Sequence, residues 1–193
     1  KLDGVRVLAV VTKNTVNLYS RNGKPFDNFP QIVKSLEDIK HKFAKLLQGC
    51  PRGIVLDGEI IGESFQALMK QAQRKTDVRT DGMTYSVFDV IPLTDFERGY
   101  WNAQQHKRLD ILEEYRAVFE STDCARIMDG ITVDLGMAEG HDIMHRYATD
   151  AVALGFEGIM IKDLGAPYEC RRSTFWMKWK PTITVDLNIV GFE

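Results

Sequence analysis

The chain has 193 residues, 44% of them hydrophobic and 27% charged, with a formal net charge of -2. This is enough apolar material for a full core in one large domain or two small ones, and it carries no overall basic footprint for nucleic acid, although a local basic patch stays open. Three cysteines, Cys50, Cys124 and Cys170, form no Cys-x-x-Cys pair and argue for free thiols in a reducing compartment. No apolar run reaches membrane length and no signal peptide is visible.

In chain order, "VRVLAVV" (5–11) and "TVNLYS" (15–20) predict two strands joined by a turn at "TKN", hence a hairpin. "RNGKP" (21–25) is a loop. From Pro30 to Leu47 the apolar positions Ile32, Leu36, Ile39, Phe43, Leu46 and Leu47 repeat at helical spacing, with proline at the start. "GIVLDGEII" (53–61) predicts a strand interrupted by Asp-Gly-Glu, and 64–75 a helix. "MTYSVFDVI" (83–91) predicts a strand stopped by Pro92. Residues 104–120 predict a helix with Leu109, Leu112, Tyr115 and Phe119 on one face; 126–135 predicts a strand; 139–155 predicts a helix ended by Gly155. "GIMIKD" (158–163), "FWMKWK" (175–180) and "VDLNIVGFE" (185–193) predict short strands. The irregular order of strands and helices argues for α+β with mostly antiparallel sheets flanked by helices, not a βαβ repeat.

Several strands carry charge where a plain core strand would not. Glu59 sits inside "VLDGEII", Glu157 and Lys162 bracket "GIMI", and Lys178 and Lys180 alternate with aromatics in "FWMKWK". Each alone reads as a half-buried strand with a wet face. Together they suggest one polar groove lined by sheet, because buried charges are costly unless paired or metal-bound. Lysines neutralise phosphates, carboxylates hold a divalent metal, and an aromatic such as Phe88 can stack on a base, so the groove suits a nucleoside triphosphate. His141 and His145, four apart on a helix, have no third ligand and read as solvated.

The segments "KLDGVR", "SRNG", "LDGE", "FDV", "EGIMIK" and "WMKWK", in this order and over nearly the whole chain, resemble the covalent nucleotidyltransferases. The closest resemblance is to the adenylation domain of ATP-dependent DNA ligases. It implies an ATP-grasp-like fold with the nucleotide groove between sheets. It also implies a division into an N-terminally incomplete nucleotidyltransferase domain (1–183) and the start of a linker or first strand (184–193) toward an absent OB-fold domain. By the same resemblance Lys1 is the nucleophile that takes AMP, and Lys178 and Lys180 contact the α-phosphate. Arg6 and Arg21 reach the ribose and phosphate of nucleotide or nick, Glu59 organises the ribose and metal, Phe88 stacks on adenine, and Lys162 joins the nucleotide site. Glu157 helps bind metal, and Arg172 is a candidate contact to the 5′-phosphate of a nick.

The implied activity is joining of nicked double-stranded DNA in repair, replication or recombination, with ATP and Mg²⁺, or Mn²⁺ in its place. The implied protein is a monomer without membrane attachment. It would work inside the cell, in the cytoplasm of a bacterial or virus-infected cell or in a eukaryotic nucleus. An RNA ligase, a GTP-using mRNA capping nucleotidyltransferase and a catalytically lapsed nick-binding module stay open as alternatives.

Overall fold

The hairpin predicted at the start of the chain is the seed of the main sheet in the computed structural model, which describes residues 1–74 and 76–182. The last predicted strand (185–193) and the linker expected over 184–193 lie outside the described residues. Strands β1 (Val5–Val11) and β2 (Val16–Ser20) pair antiparallel, with Val11 opposite Val16. The predicted helix from Pro30 is broken into α1 (Pro30–Ile39), a 3₁₀ turn (Lys40–Phe43) and α2 (Ala44–Gly49). Ile32, Leu36, Ile39, Phe43 and Leu47 are all buried, so the tighter turn preserves one apolar face through the break.

Next come β3 (Ile54–Ile61), α3 (Phe65–Ala72) capped by the Ser64 hydroxyl, and β4 (Thr84–Pro92). Pro92 is the last residue of β4, opposite Ile54, and does not stop the strand before it. A short α4 (Leu93–Glu97) and β5 (Tyr100–Trp101) follow, neither marked by periodicity. The helix predicted over 104–120 is two, α5 (Gln105–Glu114) and α6 (Arg116–Glu120), and Leu109 is exposed while Leu112 and Phe119 are buried. Of the strand predicted over 126–135 only β6 (Ala125–Ile127) forms; beyond it Ile131 is exposed and Asp129 pairs with Arg116. Helix α7 (Ala138–Ala153) leads through Gly155, at φ +88°, to β7 (Ile159–Lys162), β8 (Tyr168–Glu169) and β9 (Trp176–Trp179).

The main sheet has five strands in the order β2-β1-β3-β4-β6, antiparallel except for the β4–β6 edge pair. Two small antiparallel pairs, β5–β8 and β7–β9, complete the α+β fold. Strand alternation sorts the main sheet's side chains. One face, with Val7, Ala9, Leu56, Ile60, Tyr85 and Val87, packs on Leu36, Phe43, Leu112 and Phe119 to form the core. Arg6, Asp57, Glu59 and Asp89 fall on the opposite face, where the side chains from β7, β8 and β9 meet them. Among the described residues no helix is long and apolar enough to cross a membrane.

Candidate active site

Lys1 and Glu157 are brought together by backbone before their side chains meet. The Glu157 N–H donates to the Lys1 carbonyl at 3.2 Å. Gly158 then adopts φ +141°, and a Cβ there would lie 2.1 Å from the Trp179 carbonyl oxygen, so only glycine lets β7 approach β9 this closely. The Lys1 Nζ ion-pairs with Glu157 Oε2 and donates to the Leu2 carbonyl at 2.9 Å. Lys180 Nζ reaches the same Glu157 oxygen at 2.8 Å. Held by the Lys1 hydrogen bond first and the Lys180 one second, the Glu157 carboxyl falls to about 2. Glu59 Oε1 accepts the Gly4 N–H at 2.8 Å and so ties the Lys1–Gly4 loop to β3, while burial pushes its carboxyl up.

Behind this cluster lie two buried carboxylates. A bulge in the β3–β4 ladder sets Asp57 opposite Asp89 and Gly58 opposite Val87, leaving Phe88 as the extra residue. A Cβ on Gly58 would sit 2.5 Å from the Tyr85 ring, which explains glycine inside this strand. Asp57 is fully buried and binds Arg6 in two-pronged fashion, Nε to Oδ1 at 2.9 Å and Nη2 to Oδ2 at 2.6 Å. The Tyr168 hydroxyl donates to Asp57 Oδ2 at 2.7 Å. Burial, and next the Asp57 charge, hold the Tyr168 phenol well above its ordinary range. Asp89 pairs with the fully buried Arg108 at 2.8 and 3.2 Å.

Lys162 joins these parts to an aromatic wall. Its ammonium lies 4.9 Å from the Phe88 ring centre and 4.0 Å from that of Trp176, and it donates to the Phe88 carbonyl at 3.1 Å. Burial pushes the Lys162 amine down to about 8, against the opposing pull of Asp89 and Asp57. Phe88 and Trp176 meet edge to face at 5.9 Å.

A cleft of about 760 Å³ opens beside Trp176. Arg6, Arg21, Arg172 and Lys178 line it along with Tyr168, Phe175 and Trp176. Lys1, Glu59, Phe88, Glu157, Lys162 and Lys180 are not among its lining residues. The predicted site residues thus fall into three adjoining groups: the Lys1–Glu157–Lys180 cluster with Glu59, the Phe88–Lys162 wall, and the cationic cleft. Among the described residues Arg172 forms no ion pair; Glu169 pairs with Arg171 instead, at 2.8 Å. His145 packs edge to face on Trp179 at 6.5 Å, and among the described residues it joins no group of three His, Cys, Asp or Glu side chains that could hold a metal ion.

The sequence reading missed Asp57, Asp89, Tyr168, Gln105, Arg108 and Trp176 as site residues. A signal existed for the pair on α5: Gln105, Arg108 and Leu112 share one helical face, and all three are buried. Two polar residues on a buried helical face imply partners inside.

The chain matches the model of the ATP dependent DNA ligase domain family over residues 1–180. It is 28% identical over 205 residues to DNA ligase 2 of Methanosarcina mazei, covering all of this chain and 34% of that protein. It therefore spans about a third of the length of the curated relatives it matches. The solved structure named Pmar-Lig_PreS3 superposes with a TM-score of 0.84 at 36% identity, over 94% of this chain and 41% of that one. The bacteriophage T7 ATP-dependent DNA ligase, solved in complex with ATP, superposes with a TM-score of 0.63 over 94% of this chain and 60% of that one; at 20% identity it bears on the fold alone.

Proposed function

The chain belongs to the ATP-dependent DNA ligase domain family, and from that premise we propose that it is the adenylation core of an enzyme that seals nicks in double-stranded DNA. The observation that carries this reading is the meeting of Lys1, Glu157 and Lys180 at one point, with Lys178, two residues from Lys180, on the wall of an arginine- and lysine-lined cleft. The cleft's volume and cationic lining suit a nucleoside triphosphate or a nucleic acid phosphate. Residues 1–183 act as the nucleotidyltransferase unit in this reading.

Lys1 Nζ attacks the α-phosphorus of ATP, the bond to the bridging oxygen of the β-phosphate breaks, and pyrophosphate leaves while the amine loses a proton. AMP is then passed from Lys1 to the 5′-phosphate of the nick. Attack by the 3′-hydroxyl joins the strand and releases AMP. A free lysine amine has an ordinary pKa of about 10.4 and is almost all ammonium at neutral pH. In the structure Lys1 Nζ is ion-paired with Glu157, and attack on phosphorus requires that this contact be exchanged for the phosphate. Lys178 and Lys180 neutralise the α-phosphate and the charge that develops on it. Phe88 offers adenine an aromatic face, with Lys162 beside it. Arg6 and Arg21 serve ribose or phosphate, and Arg172 the 5′-phosphate of the nick.

A divalent cation fits as a partner shared with ATP. Among the described residues no three His, Cys, Asp or Glu side chains form a ready cage. Mg²⁺ is commonly held by one or two carboxylates plus substrate phosphates, and Glu157 and Glu59 would hold it here. Bound there, Mg²⁺ or Mn²⁺ would neutralise phosphate charge.

The test is incubation with α-labelled ATP and Mg²⁺ in the full-length context. An acid-labile, alkali-stable adduct is expected on wild-type protein and absent from Lys1→Ala. Label persisting in Lys1→Ala removes Lys1 from the mechanism. Parallel arms with α-labelled GTP and with nicked RNA separate the capping and RNA-ligase alternatives.

A further inference from the structure

We propose that Gln105 and Arg108, one turn apart on α5, are positioning residues that jointly fix the aromatic–lysine wall of the nucleotide groove. Gln105 orients Trp176, and through it Lys162, while Arg108 anchors Asp89 beside Phe88. The proposal rests on the ligase reading only for the identity of the nucleotide.

Three observations carry it. First, Gln105 Oε1 accepts two hydrogen bonds, from Trp176 Nε1 at 3.1 Å and from Arg108 Nη2 at 2.9 Å. Trp176 lines the cleft two residues before Lys178, and its ring carries the Lys162 ammonium. The Gln105 oxygen thus links Trp176 on β9 to Arg108, and through Arg108 to Asp89 on β4. Second, Arg108 uses its remaining donors on Asp89 and on the carbonyls of Ala103 and Ala166, the latter at 3.1 Å. The α5 N-terminus holds the same segment, the Gln105 N–H donating to the Ala166 carbonyl at 2.9 Å and His106 N–H to Leu164 at 3.1 Å. This segment leads from Lys162 to Tyr168, so one helical turn holds β4 and the path between β7 and β8.

Third, among the described residues the buried amide nitrogen of Gln105 has no hydrogen-bond partner. An unmade buried hydrogen bond is a cost that packing alone does not call for. It is understandable where the oxygen of that amide is the required atom. Glutamate would supply the same acceptor but bring a third negative charge beside Asp57 and Asp89. A purely structural helix contact would be satisfied by leucine.

The experiment compares Gln105→Leu, which loses the acceptor, with Gln105→Glu, which keeps it, and with Trp176→Phe and the Gln105→Leu/Trp176→Phe pair. Self-adenylation kinetics are read in the full-length context, with thermal melting and tryptophan emission on the same samples. The emission of Trp176 is isolated by difference from Trp176→Phe. Gln105→Leu is expected to raise KM for ATP about five- to tenfold, the effect of one lost hydrogen bond, with kcat changed less. It should also shift Trp176 emission. Gln105→Glu should recover most of both. In the Trp176→Phe background the leucine substitution should add less than about twofold, because its route of action is already gone. A fall in melting temperature with KM and Trp176 emission unchanged overturns the proposal, as do fully additive effects in the pair. Wild-type protein that takes up no AMP refutes the ligase reading, while the emission comparison still decides the positioning role.

Discussion

Arg108→Met tests the buried pair behind the groove. The substitution keeps much of the side chain's length and apolar bulk but removes the guanidinium. It leaves Asp89, fully buried, with the Val90 N–H at 2.9 Å and the Lys162 charge as its remaining support. Breaking such a pair by removing one partner costs about 3–5 kcal/mol, because a charge stays buried without compensation. In a chain of this size that corresponds to a fall in melting temperature of roughly 6–20 °C. The pH dependence has a definite sign. Burial already raises the Asp89 carboxyl, with Lys162 and Arg108 opposing. Loss of Arg108 raises it further above its unfolded value of about 3.9. A group whose folded pKa is raised supplies stability below the unfolded pKa and loses it as pH rises through the folded one. The stability gap between variant and wild type should therefore widen from pH 4 to pH 7. Guanidinium unfolding at several pH values measures it, and Arg108→Met/Asp89→Asn should recover part of the loss by removing the stranded charge. A gap under about 1 kcal/mol, or one that narrows as pH rises, would refute the reasoning.

Three further outcomes are expected. Glu157→Ala should cut self-adenylation severely with the fold intact, since it removes a groove charge and no core contact, and Lys178→Ala should slow it by about 10²-fold or more; wild-type labelling in both would overturn the groove assignment. Arg172→Ala should spare self-adenylation but slow AMP transfer to a nick and sealing of a pre-adenylated nick, with Arg172→Lys recovering part, and a single-turnover comparison of the steps beside a melting curve decides it. The Lys162 amine, at about 8 in the folded chain, lies below its ordinary 10.5, so between these values the unfolded chain binds the extra proton and stability should rise with pH. Lys162→Met should flatten that rise relative to wild type, and an unchanged slope would contradict the burial of this amine.

The sequence by itself determined the elements whose burial pattern is local. Strand-forming residue types placed β1, β3 and β4 to within a residue or so, helical spacing placed the start of α1, and the helix read over 139–155 is α7. The resemblance of ordered short motifs named Lys1, Glu157 and Lys180, which meet although more than 150 residues separate the first from the others. Only the tertiary structure decided how those elements end and what they meet. A single periodicity ran through Lys40–Phe43 and through Tyr115, where the backbone in fact changes direction while the apolar face continues inward. The run after Ile127 had strand-like residues, but among the described residues it pairs with no strand beyond the Met128 N–H bond to the Val87 carbonyl, and a strand exists only as a ladder with a partner. Arg108 carries no local sign of its place; it is fully buried because Asp89 waits across the interface. Phe88 departs from alternation because the bulge is set by the β3–β4 register, with Asp57 and Asp89 paired across it. Local sequence fixes which face of an element shuns water, but the partner that compensates a buried charge is set by contacts distant in the chain.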